Sequence, residues 1–393
     1  MLPHTPADAP ARIHWTEAGE ERSARWRSEN GMPAPKKVVI ANDQTPADVA
    51  YRLACEGTAL LWRGDFQNAR QLLQALARRA DHKGDKGMKA KGLKAKAPKV
   101  PASPAEAFHL HRQAQSQRAR TLAMLLLPFD GDYTIPLRRA PDVKLACNEA
   151  YGRGEEPFVA SMRELLGLIG AHEWRKNGVE IAALEERIFP HYGVFSPIRG
   201  EYVELVANAP LPPGAKVAFD IGTGTGVLAA LLAKRGLQHI VATDMDARAL
   251  SCARDNLHRL GLEQTVELMK ADLFPDRRAD LVLCNPPWLP GRPSSSLEYA
   301  VYDPDSRMLK GFLSGVAAHL APDGQAWLIL SDLAEHLGLR PRADLMAWIE
   351  AGGLKVIERH DVRPTHPRAS DASDPLHKAR SAELTSLWRL GAR

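Results

Sequence analysis

Short apolar runs that end at an acid, a glycine or a proline recur through the second half of the chain. They predict buried strands over Val217–Phe219, His239–Thr243, Val266–Lys270 and Leu281–Cys284. After the first run a glycine-rich turn opens an apolar helix that reaches Ala233. This alternation predicts an α/β fold, in which ligands bind above the carboxyl ends of the strands.

The first half of the chain has a helical pattern from Thr45 onward. Helices are predicted to begin at Thr45-Pro46, at Asp65 (through Ala80), at the capping box Ser103-Pro104-Ala105-Glu106 (ending before Pro128), and over Pro157–Lys176. We therefore expect a polar tail over residues 1–40, a mainly helical domain over 41–190, and a second domain over 191–393.

Basic residues are concentrated in one segment of the first half. Residues 81–99 contain seven Lys and two Asp, so their net charge of +5 equals that of the whole chain. The segment fits a flexible linker, placed at 81–102, and it also fits a basic arm. The helix that follows carries His109, His111, Arg112, Arg118 and Arg120. As an arm, Lys83–Lys99 and the Arg112–Arg120 helix would contact RNA phosphates without reading sequence.

The glycine-rich turn is the first candidate binding site. Gly222, Thr223, Gly224 and Gly226 follow a strand that carries Asp220, and the glycines supply bare backbone and positive φ angles for a close ligand. The spacing is G-x-G-x-G, whereas a dinucleotide site requires G-x-G-x-x-G. Asp220 also suits a ligand that carries an amine, so the motif argues against a nicotinamide cofactor.

Acids follow the next two strands. Asp244, with Met245 beside it, ends the second strand, where a carboxylate can accept hydrogen bonds from both hydroxyls of a ribose. Asp272 and Leu273 follow the third strand and suit the amine edge and the face of an adenine. An ordinary Asp-capped turn would explain Asp272 equally well on its own. The fourth strand ends in Asn285-Pro286-Pro287-Trp288.

In this order the motifs resemble those of the class I S-adenosylmethionine-dependent methyltransferases, over about Pro197 to Leu390. The resemblance implies S-adenosylmethionine as cofactor, bound at the glycine-rich turn and the acids described above, with Met245, Leu273 and Asn285 beside them. It also implies a Rossmann-like seven-stranded sheet, with further strands at Ala326–Leu330, Lys355–His360 and Leu384–Leu390, the last two antiparallel. Helices are expected over Asp305–Leu320 and Arg340–Ala351.

Asn285-Pro286-Pro287-Trp288 resembles the (N/D)PP(Y/F/W) signature of enzymes that methylate a planar nitrogen. Such a nitrogen is a poor nucleophile, so the site must orient it. Asn285 Oδ1 and the Pro286 carbonyl would accept its two hydrogens, the prolines would fix the loop, and Trp288 would stack on the acceptor. A rigid Pro-Pro exit with a core Trp is the structural alternative.

The sequence after this motif is similar to the HemK-like release-factor glutamine methyltransferases, through Tyr302-Asp303-Pro304. Tyr192–Pro197 and a helix over Ile198–Val206 take the place of that family's segment closing over the cofactor. Trp288 replaces the usual Tyr, and Ser-Pro-Ile-Arg-Gly-Glu, with Glu201, replaces Pro-Arg-Pro-Glu-Thr. Similar cores also modify adenine N6 and guanine N2.

Three functions follow as hypotheses. The basic segment favours methylation of an RNA base amine, and the downstream resemblance favours protein glutamine N5-methylation, so the partner is RNA or a translation protein. The third hypothesis is a non-catalytic nucleic-acid-binding protein, against which the intact Asp220, Asp244, Asp272 and Asn285 argue.

Composition adds outer limits. The chain has 393 residues, of which 45% are hydrophobic, and this is typical of a globular protein with two domains. Its four cysteines show no metal-binding spacing, and Cys284 is predicted to be a small core residue. No signal peptide or membrane span is apparent, so we expect a cytoplasmic protein without a membrane partner.

Overall fold

The computed structural model describes residues 10–81, 101–293, 297–365 and 371–393. They form two units. The first contains residues 10–81 and Arg112–His172, and the second contains Pro101–His111 and the described residues from Glu173 onward. Within the described ranges, none of the helices combines the length and apolarity that crossing a bilayer requires.

The first unit is built on a six-stranded mixed sheet with the order β1-β2-β6-β5-β4-β3. Its strands are β1 (Arg12–Glu17), β2 (Glu20–Trp26), β3 (Lys37–Ala41), β4 (Thr58–Trp62), β5 (Leu125–Phe129) and β6 (Phe158–Ser161). Strands β3, β4 and β5 are parallel, β6 is antiparallel to β5, and β1 and β2 form an antiparallel hairpin.

Five helices accompany these strands in the chain: α1 (Ala47–Cys55), α2 (Phe66–Asp81), α3 (Pro104–Leu122), α4 (Lys144–Tyr151) and α5 (Met162–Asn177). The predicted starts of α2 and α3 are confirmed. Asp65 Oδ1 accepts from Gln67 N at 2.9 Å, and Ser103 Oγ accepts from Glu106 N at 3.1 Å. The segment 82–100, with Lys83–Lys99, lies outside the described residues.

The sheet corrects two predictions. A polar tail was expected over residues 1–40, yet β1, β2 and most of β3 lie there, and the domain expected to be mainly helical is a mixed α/β unit. The hairpin was missed because β2 is mostly exposed and polar, so only Ile13 and Trp15 of β1 carry the alternation of a half-buried strand. The helix predicted from Pro157 is preceded by β6, which is too short and apolar to be distinguished from a helical turn by its pattern.

The second unit contains a seven-stranded sheet with the order β11-β10-β9-β12-β13-β15-β14 and a small hairpin of β7 and β8. The strands are β7 (Val179–Ile181), β8 (Glu186–Ile188), β9 (Val217–Ile221), β10 (His239–Asp244), β11 (Val266–Lys270), β12 (Ala279–Cys284), β13 (Leu320–Ser331), β14 (Leu354–Val362) and β15 (Thr385–Ala392). In this sheet, only β15 is antiparallel to its neighbours, β13 and β14. The predicted seven-stranded sheet with a final antiparallel pair is confirmed.

Two helical layers cover this sheet. The helices of the unit are α6 (Glu201–Asn208), α7 (Val227–Lys234), α8 (Ala247–Arg259), α9 (Arg307–Gly315), α10 (Leu333–His336), α11 (Arg342–Ala351) and α12 (His377–Ala382). Helices α6, α7 and α8 pack on one face, around Ala218, Ile240 and Leu283. Helices α9 and α11 pack on the other, against Phe219 and Val282. Both faces are buried, which explains the continuous apolar runs.

Candidate active site

The predicted motifs meet at one edge of the seven-stranded sheet. In the strand register, Thr243 pairs with Ile221, and Cys284 pairs with Ile221 from the other side. The glycine loop, Asp244 and Asn285 therefore leave three adjacent strands at their carboxyl ends. This is where an open α/β sheet binds its ligands.

The three glycines of the loop have different surroundings. Their φ angles are +76°, +55° and +81° for Gly222, Gly224 and Gly226. A Cβ on Gly226 would lie 3.2 Å from that of Ala253, so this glycine allows α7 and α8 to approach closely. A Cβ on Gly224 would meet no heavy atom within 4 Å. Gly224 therefore presents bare backbone to open space, which suits a bound ligand.

Asp220 is a buried acid with one unused oxygen. Its side chain is 1% exposed, and Oδ2 accepts from Thr223 Oγ1 at 2.7 Å and from Ala229 N at 3.1 Å. Oδ1 is buried without a hydrogen-bond partner among the described residues. Burial raises the pKa of Asp220 to about 6, against the hydrogen bonds from Thr223 and Ala229. An acid with these properties fits a ligand that brings a cation or a hydrogen-bond donor.

Asp244 connects the second strand to the glycine loop. Its Oδ2 accepts from Gly224 N at 3.1 Å and its Oδ1 from Asp246 N at 2.9 Å. Burial raises its pKa above the ordinary value. Each oxygen keeps a second lone pair, so the predicted contact with a ribose diol is compatible with this geometry. Met245 is 55% exposed at the same edge.

The predicted adenine-binding acid already has a partner. Asp272 Oδ2 lies 2.6 Å from Arg307 Nη2, and both side chains are at least half exposed. Leu273 adopts a left-handed conformation with φ +77°, and its carbonyl accepts from Thr243 Oγ1 at 2.6 Å. Sequence reasoning missed Arg307, because the pair spans 35 residues of the chain.

The Asn-Pro-Pro-Trp loop contains an internal side-chain hydrogen bond. The Trp288 indole N–H donates to Asn285 Oδ1 at 2.9 Å, and Trp288 is half-buried against the apolar clusters of both sheet faces. Pro286 is buried, and Pro287 is half-buried. One lone pair of Asn285 Oδ1 is therefore taken by Trp288, a contact that the sequence did not predict.

A polar group missed by the sequence analysis lies next to this loop. Arg199 Nη1 is 3.3 Å from Glu383 Oε1, which also accepts from Ser331 Oγ at 2.7 Å. The Arg199 guanidinium carbon lies 5.5 Å from the centre of the Trp288 ring. Arg199 and Glu383 are 184 positions apart in the sequence, and the pairing of β13 with β15 brings Ser331 close to Glu383, so no local signal could have revealed this group.

Two segments that carried the resemblance have structural contacts. Asp303, in Tyr302-Asp303-Pro304, is 5% exposed and accepts from the backbone N–H groups of Met308 and Leu309 at 3.0 and 3.1 Å. It therefore caps α9. The second segment, Tyr192–Pro197, follows Phe189, whose backbone N–H donates to the Asn256 side chain at 2.8 Å. The same Asn256 side chain donates to the Thr225 carbonyl at 3.0 Å. Asn256 thus ties the stretch before Tyr192–Pro197 to the glycine loop.

Three further predictions from the sequence concern Cys284, metal binding and the basic residues of α3. Cys284 is fully buried in the sheet core, as predicted, and burial raises its pKa well above the ordinary value. In the parts of the chain that the structure describes, no cluster of His, Cys, Asp and Glu could hold a metal ion. On α3, Arg118 forms a two-contact ion pair with Asp81 at 2.6 and 3.2 Å, so its charge is partly neutralised.

Comparison with known proteins assigns the chain to a family. The model of the methyltransferase small domain matches residues 187–341. A tRNA1(Val) (adenine(37)-N6)-methyltransferase of Shewanella loihica is 33% identical over 204 residues, which are 47% of this chain and 82% of that enzyme. The chain belongs to the methyltransferase small domain family. These are class I S-adenosylmethionine-dependent N-methyltransferases, and their cofactor is S-adenosylmethionine.

Other members of the family differ in their named substrates. A release factor glutamine methyltransferase of Cereibacter sphaeroides is 32% identical over 170 residues, 40% of this chain and 58% of that enzyme. A ribosomal protein L11 methyltransferase of Tolumonas auensis is 28% identical over 36% of this chain and 46% of that enzyme. The chain thus spans about half the length of these two family members. All three substrates belong to the translation apparatus.

Among solved structures, a ribosomal protein L11 methylase of Lactobacillus delbrueckii subsp. bulgaricus aligns with a TM-score of 0.36. It is 16% identical and covers 53% of this chain and 86% of its own.

Proposed function

We propose that the protein transfers a methyl group from S-adenosylmethionine to a planar nitrogen of an RNA base. The observation that carries the proposal is the register of β9 with β12. It places Gly222 and Asn285 directly after the paired residues Ile221 and Cys284. A cofactor loop and an acceptor loop on adjacent strand ends can hold a donor and an acceptor in contact.

The residues of the cofactor side fit S-adenosylmethionine. Asp220 Oδ1, which has no hydrogen-bond partner among the described residues, offers an acceptor for the amino group. Asp244 keeps lone pairs for the ribose hydroxyls, and Gly224 leaves open space for the bound ligand. Asp272 and Leu273 would lie at the adenine, with Arg307 restraining the carboxylate of Asp272. The bound cofactor would supply an electrophilic methyl group on a sulfonium, so that S-adenosylhomocysteine leaves when the S–C bond breaks and the methylated nitrogen releases one N–H proton to solvent.

The acceptor side orients the nitrogen. The remaining lone pair of Asn285 Oδ1 and the Pro286 carbonyl accept the two N–H hydrogens, which directs the nitrogen lone pair towards the methyl group. Trp288, half-buried beside Asn285, screens this contact from water. The protein therefore contributes to methyl transfer by orienting the acceptor nitrogen.

Two observations favour RNA as the acceptor. The tRNA adenine-N6 methyltransferase of Shewanella loihica is matched over 82% of its length. The chain's only large charge imbalance is the Lys83–Lys99 segment, followed by Arg112 and Arg120 on α3. Basic residues of this kind suit contact with phosphates.

Protein glutamine methylation is the second candidate. The match to the release factor glutamine methyltransferase, together with the Tyr302-Asp303-Pro304 segment, favours it. A glutamine carboxamide and an adenine amine present the same planar NH2 group to Asn285, so the acceptor loop alone accommodates both.

The test is a label-transfer assay with the full-length protein. Radiolabelled S-adenosylmethionine is added with RNA and protein from cells lacking the gene, and the label is divided between RNase-sensitive and protease-sensitive fractions. We expect labelled RNA, and methylated adenosine or guanosine after digestion to nucleosides. Label in protein alone would select the glutamine reaction, and label in neither fraction would contradict the enzymatic proposal.

Asn285→Ala is the matched variant for this assay. We expect transfer to fall at least about 100-fold, because the acceptor nitrogen is no longer oriented, while cofactor affinity is unchanged. Asn208→Ala is the control, since that side chain lies on the exposed end of α6 and donates, within the described part of the chain, to the Glu204 carbonyl. Equal turnover in the two variants would remove Asn285 from the reaction.

A further inference from the structure

A buried carboxylate lies at the same sheet edge as the acceptor loop. Glu383 stands between α12 and β15, and its side chain is completely buried. Because Thr385 pairs with Ser331 across the antiparallel β13–β15 ladder, Glu383 is at the carboxyl end of β13. Strand β13 is the direct neighbour of β12, which leads into Asn285.

Glu383 has one cationic contact among the described residues. Its Oε1 accepts from Ser331 Oγ at 2.7 Å and lies 3.3 Å from Arg199 Nη1. Its Oε2 is buried without a hydrogen-bond partner in the described part of the chain. A buried carboxylate is costly without a cation, so this contact holds the Arg199 side chain in place.

Arg199 in turn contacts the acceptor loop. Its guanidinium carbon lies 5.5 Å from the centre of the Trp288 ring, within the range of a cation–π interaction. The indole N–H of that ring donates to Asn285 Oδ1 at 2.9 Å. The contacts therefore run without interruption from Glu383 through Arg199 and Trp288 to Asn285.

We infer that Arg199 and Glu383 are positioning residues for the acceptor nitrogen. Glu383 holds Arg199 against Trp288, and Trp288 fixes which end of the Asn285 carboxamide faces the acceptor. With its oxygen held by the indole N–H, Asn285 presents an acceptor to the substrate N–H. A flipped amide would present its own NH2 and repel the substrate. This inference rests on the proposed function.

The chemistry of Trp288 gives the arrangement a specific purpose. Phe has no hydrogen-bond donor, and the only side-chain donor of Tyr is the hydroxyl at the tip of the ring. Neither residue can therefore replace the N–H group that is part of the indole ring of Trp. The Trp at this position thus supplies an orienting hydrogen bond in addition to an apolar surface. Arg199 and Glu383 are the partners that keep the indole in the required position.

The kinetic test uses Arg199→Ala, Glu383→Gln and Trp288→Phe in the full-length enzyme. We expect each to lower kcat by about 10-fold to 100-fold, with the KM for S-adenosylmethionine unchanged, because the cofactor loop is not touched. In the double variant Arg199→Ala/Trp288→Phe, kcat should be no lower than in Trp288→Phe, since both act through one contact. Multiplicative effects would overturn the inference.

Arg342→Ala is a matched control. Arg342 also lies over an indole, 5.1 Å from the Trp388 ring centre, and also pairs with a glutamate, Glu335, at 2.7 Å. It has the same kinds of contact away from the acceptor loop. We expect its kcat to stay within about twofold of wild type. An equal loss of kcat in Arg342→Ala and Arg199→Ala would mean that any such pair acts structurally, and the inference would fall.

A measurement without turnover separates this inference from the proposed function. In protein labelled with 15N-tryptophan, the indole N–H resonance of Trp288 is identified by its absence in Trp288→Phe. It should shift in Arg199→Ala, Glu383→Gln and Asn285→Ala, and remain in place in Arg342→Ala. A resonance unmoved by Glu383→Gln would overturn the proposed coupling. A wild type that methylates neither RNA nor protein would instead contradict the proposed function, whatever the resonance does.

Arg199→Lys covers the case in which Arg199→Ala does not fold. The lysine keeps the positive charge for Glu383 but lacks the planar guanidinium over the indole. We expect a folded protein with a kcat between those of wild type and Trp288→Phe. Wild-type kcat together with an unmoved Trp288 resonance in Arg199→Lys would contradict the positioning role of the guanidinium.

Discussion

Each unit of the protein contains a buried aspartate at, or just after, the carboxyl end of a strand that leads into a helix. The two aspartates, Asp65 and Asp220, differ in their hydrogen bonds. In the first unit, Asp65 Oδ1 caps α2 and Oδ2 lies 2.9 and 2.7 Å from Arg138 and Arg139. In the second unit, Asp220 has no cationic partner among the described residues, and its Oδ1 has no hydrogen-bond partner there.

Their pKa values diverge accordingly. The hydrogen bond from Arg139, with those from Gln67 and Arg138, holds the pKa of Asp65 well below its usual range. Burial raises the pKa of Asp220 to about 6. A buried carboxylate with hydrogen-bond and cationic partners stabilises the fold. A buried carboxylate that lacks such a partner beside a loop lowers the stability of the fold and is suited to binding a ligand. We therefore expect the cofactor to supply the hydrogen bond that Asp220 Oδ1 lacks among the described residues.

The largest effect that would test the comparison is on cofactor binding. We expect Asp220→Asn to weaken S-adenosylmethionine binding by about 100-fold, because a neutral amide replaces the carboxylate facing the amino group. Isothermal titration calorimetry measures it. Asp280→Asn is the control, since Asp280 accepts from Lys216 N and Val217 N at the opposite end of the sheet. Equal affinities in both variants would show that Asp220 does not contact the ligand.

Acidification should weaken binding by a smaller amount. The pKa of Asp220 is about 6, so the acid is charged above pH 6 and becomes protonated as the pH falls below it. We expect affinity to fall by up to about tenfold per pH unit below 6. Asp65→Asn should show the same profile as wild type. A pH-independent affinity between pH 5 and 8 would contradict the shifted pKa.

Acidification should weaken cofactor binding, but it should relieve the cost that the charged, buried Asp220 imposes on the stability of the folded protein. The folded pKa of Asp220 lies above its unfolded value, so its unfavourable contribution is absent below about pH 4 and complete above pH 6. Asp220→Asn should therefore raise the free energy of unfolding at pH 8 by about 1 to 3 kcal/mol, with little change at pH 4. Asp65→Asn should lower the unfolding temperature, since it loses ion pairs and weakens a helix cap. Thermal unfolding at both pH values decides between these signs.

The smallest effect concerns a pair of glycines. Gly57 precedes β4 with φ +81°, and Gly224 has φ +55°; a Cβ on either would meet no atom within 4 Å. Both Ala variants should lose about 1 kcal/mol of stability from backbone strain. Only Gly224→Ala should also weaken cofactor binding, because its methyl group would occupy the ligand's side of the loop. Equal affinities would place the cofactor elsewhere.

The sequence predicted the strand ends of the second unit because each apolar run stops at a chemically distinctive residue. Asp220, Asp244 and Asn285 meet at one edge for the simple reason that parallel neighbours share an orientation. Arg307 at Asp272 and Arg199 at Glu383 could not be predicted, since nothing local links such distant positions.

The first unit was predicted less well for a physical reason. Its central strands are buried, but β2 presents mostly polar, exposed residues, and its partner β1 shows only Ile13 and Trp15 to the core. The turn between them is Ala18-Gly19, with φ +53° and +84°, and lacks the Asn-Gly or Asp-Gly sequence that usually announces such a hairpin. A weak pattern and an uncommon turn together concealed two of the six strands of the sheet.

The order of the sheet also bears on how the enzyme is made. Strand β15 lies between β13 and β14, so β14 has no sheet neighbour until β15 has been synthesised. Glu383 is translated immediately before β15, long after Arg199 and Asn285. A nascent chain can thus complete its glycine loop while the support of its acceptor loop is still inside the ribosome. With the positioning role that we infer for Glu383, competence for methyl transfer would be acquired only when β15 is inserted between β13 and β14.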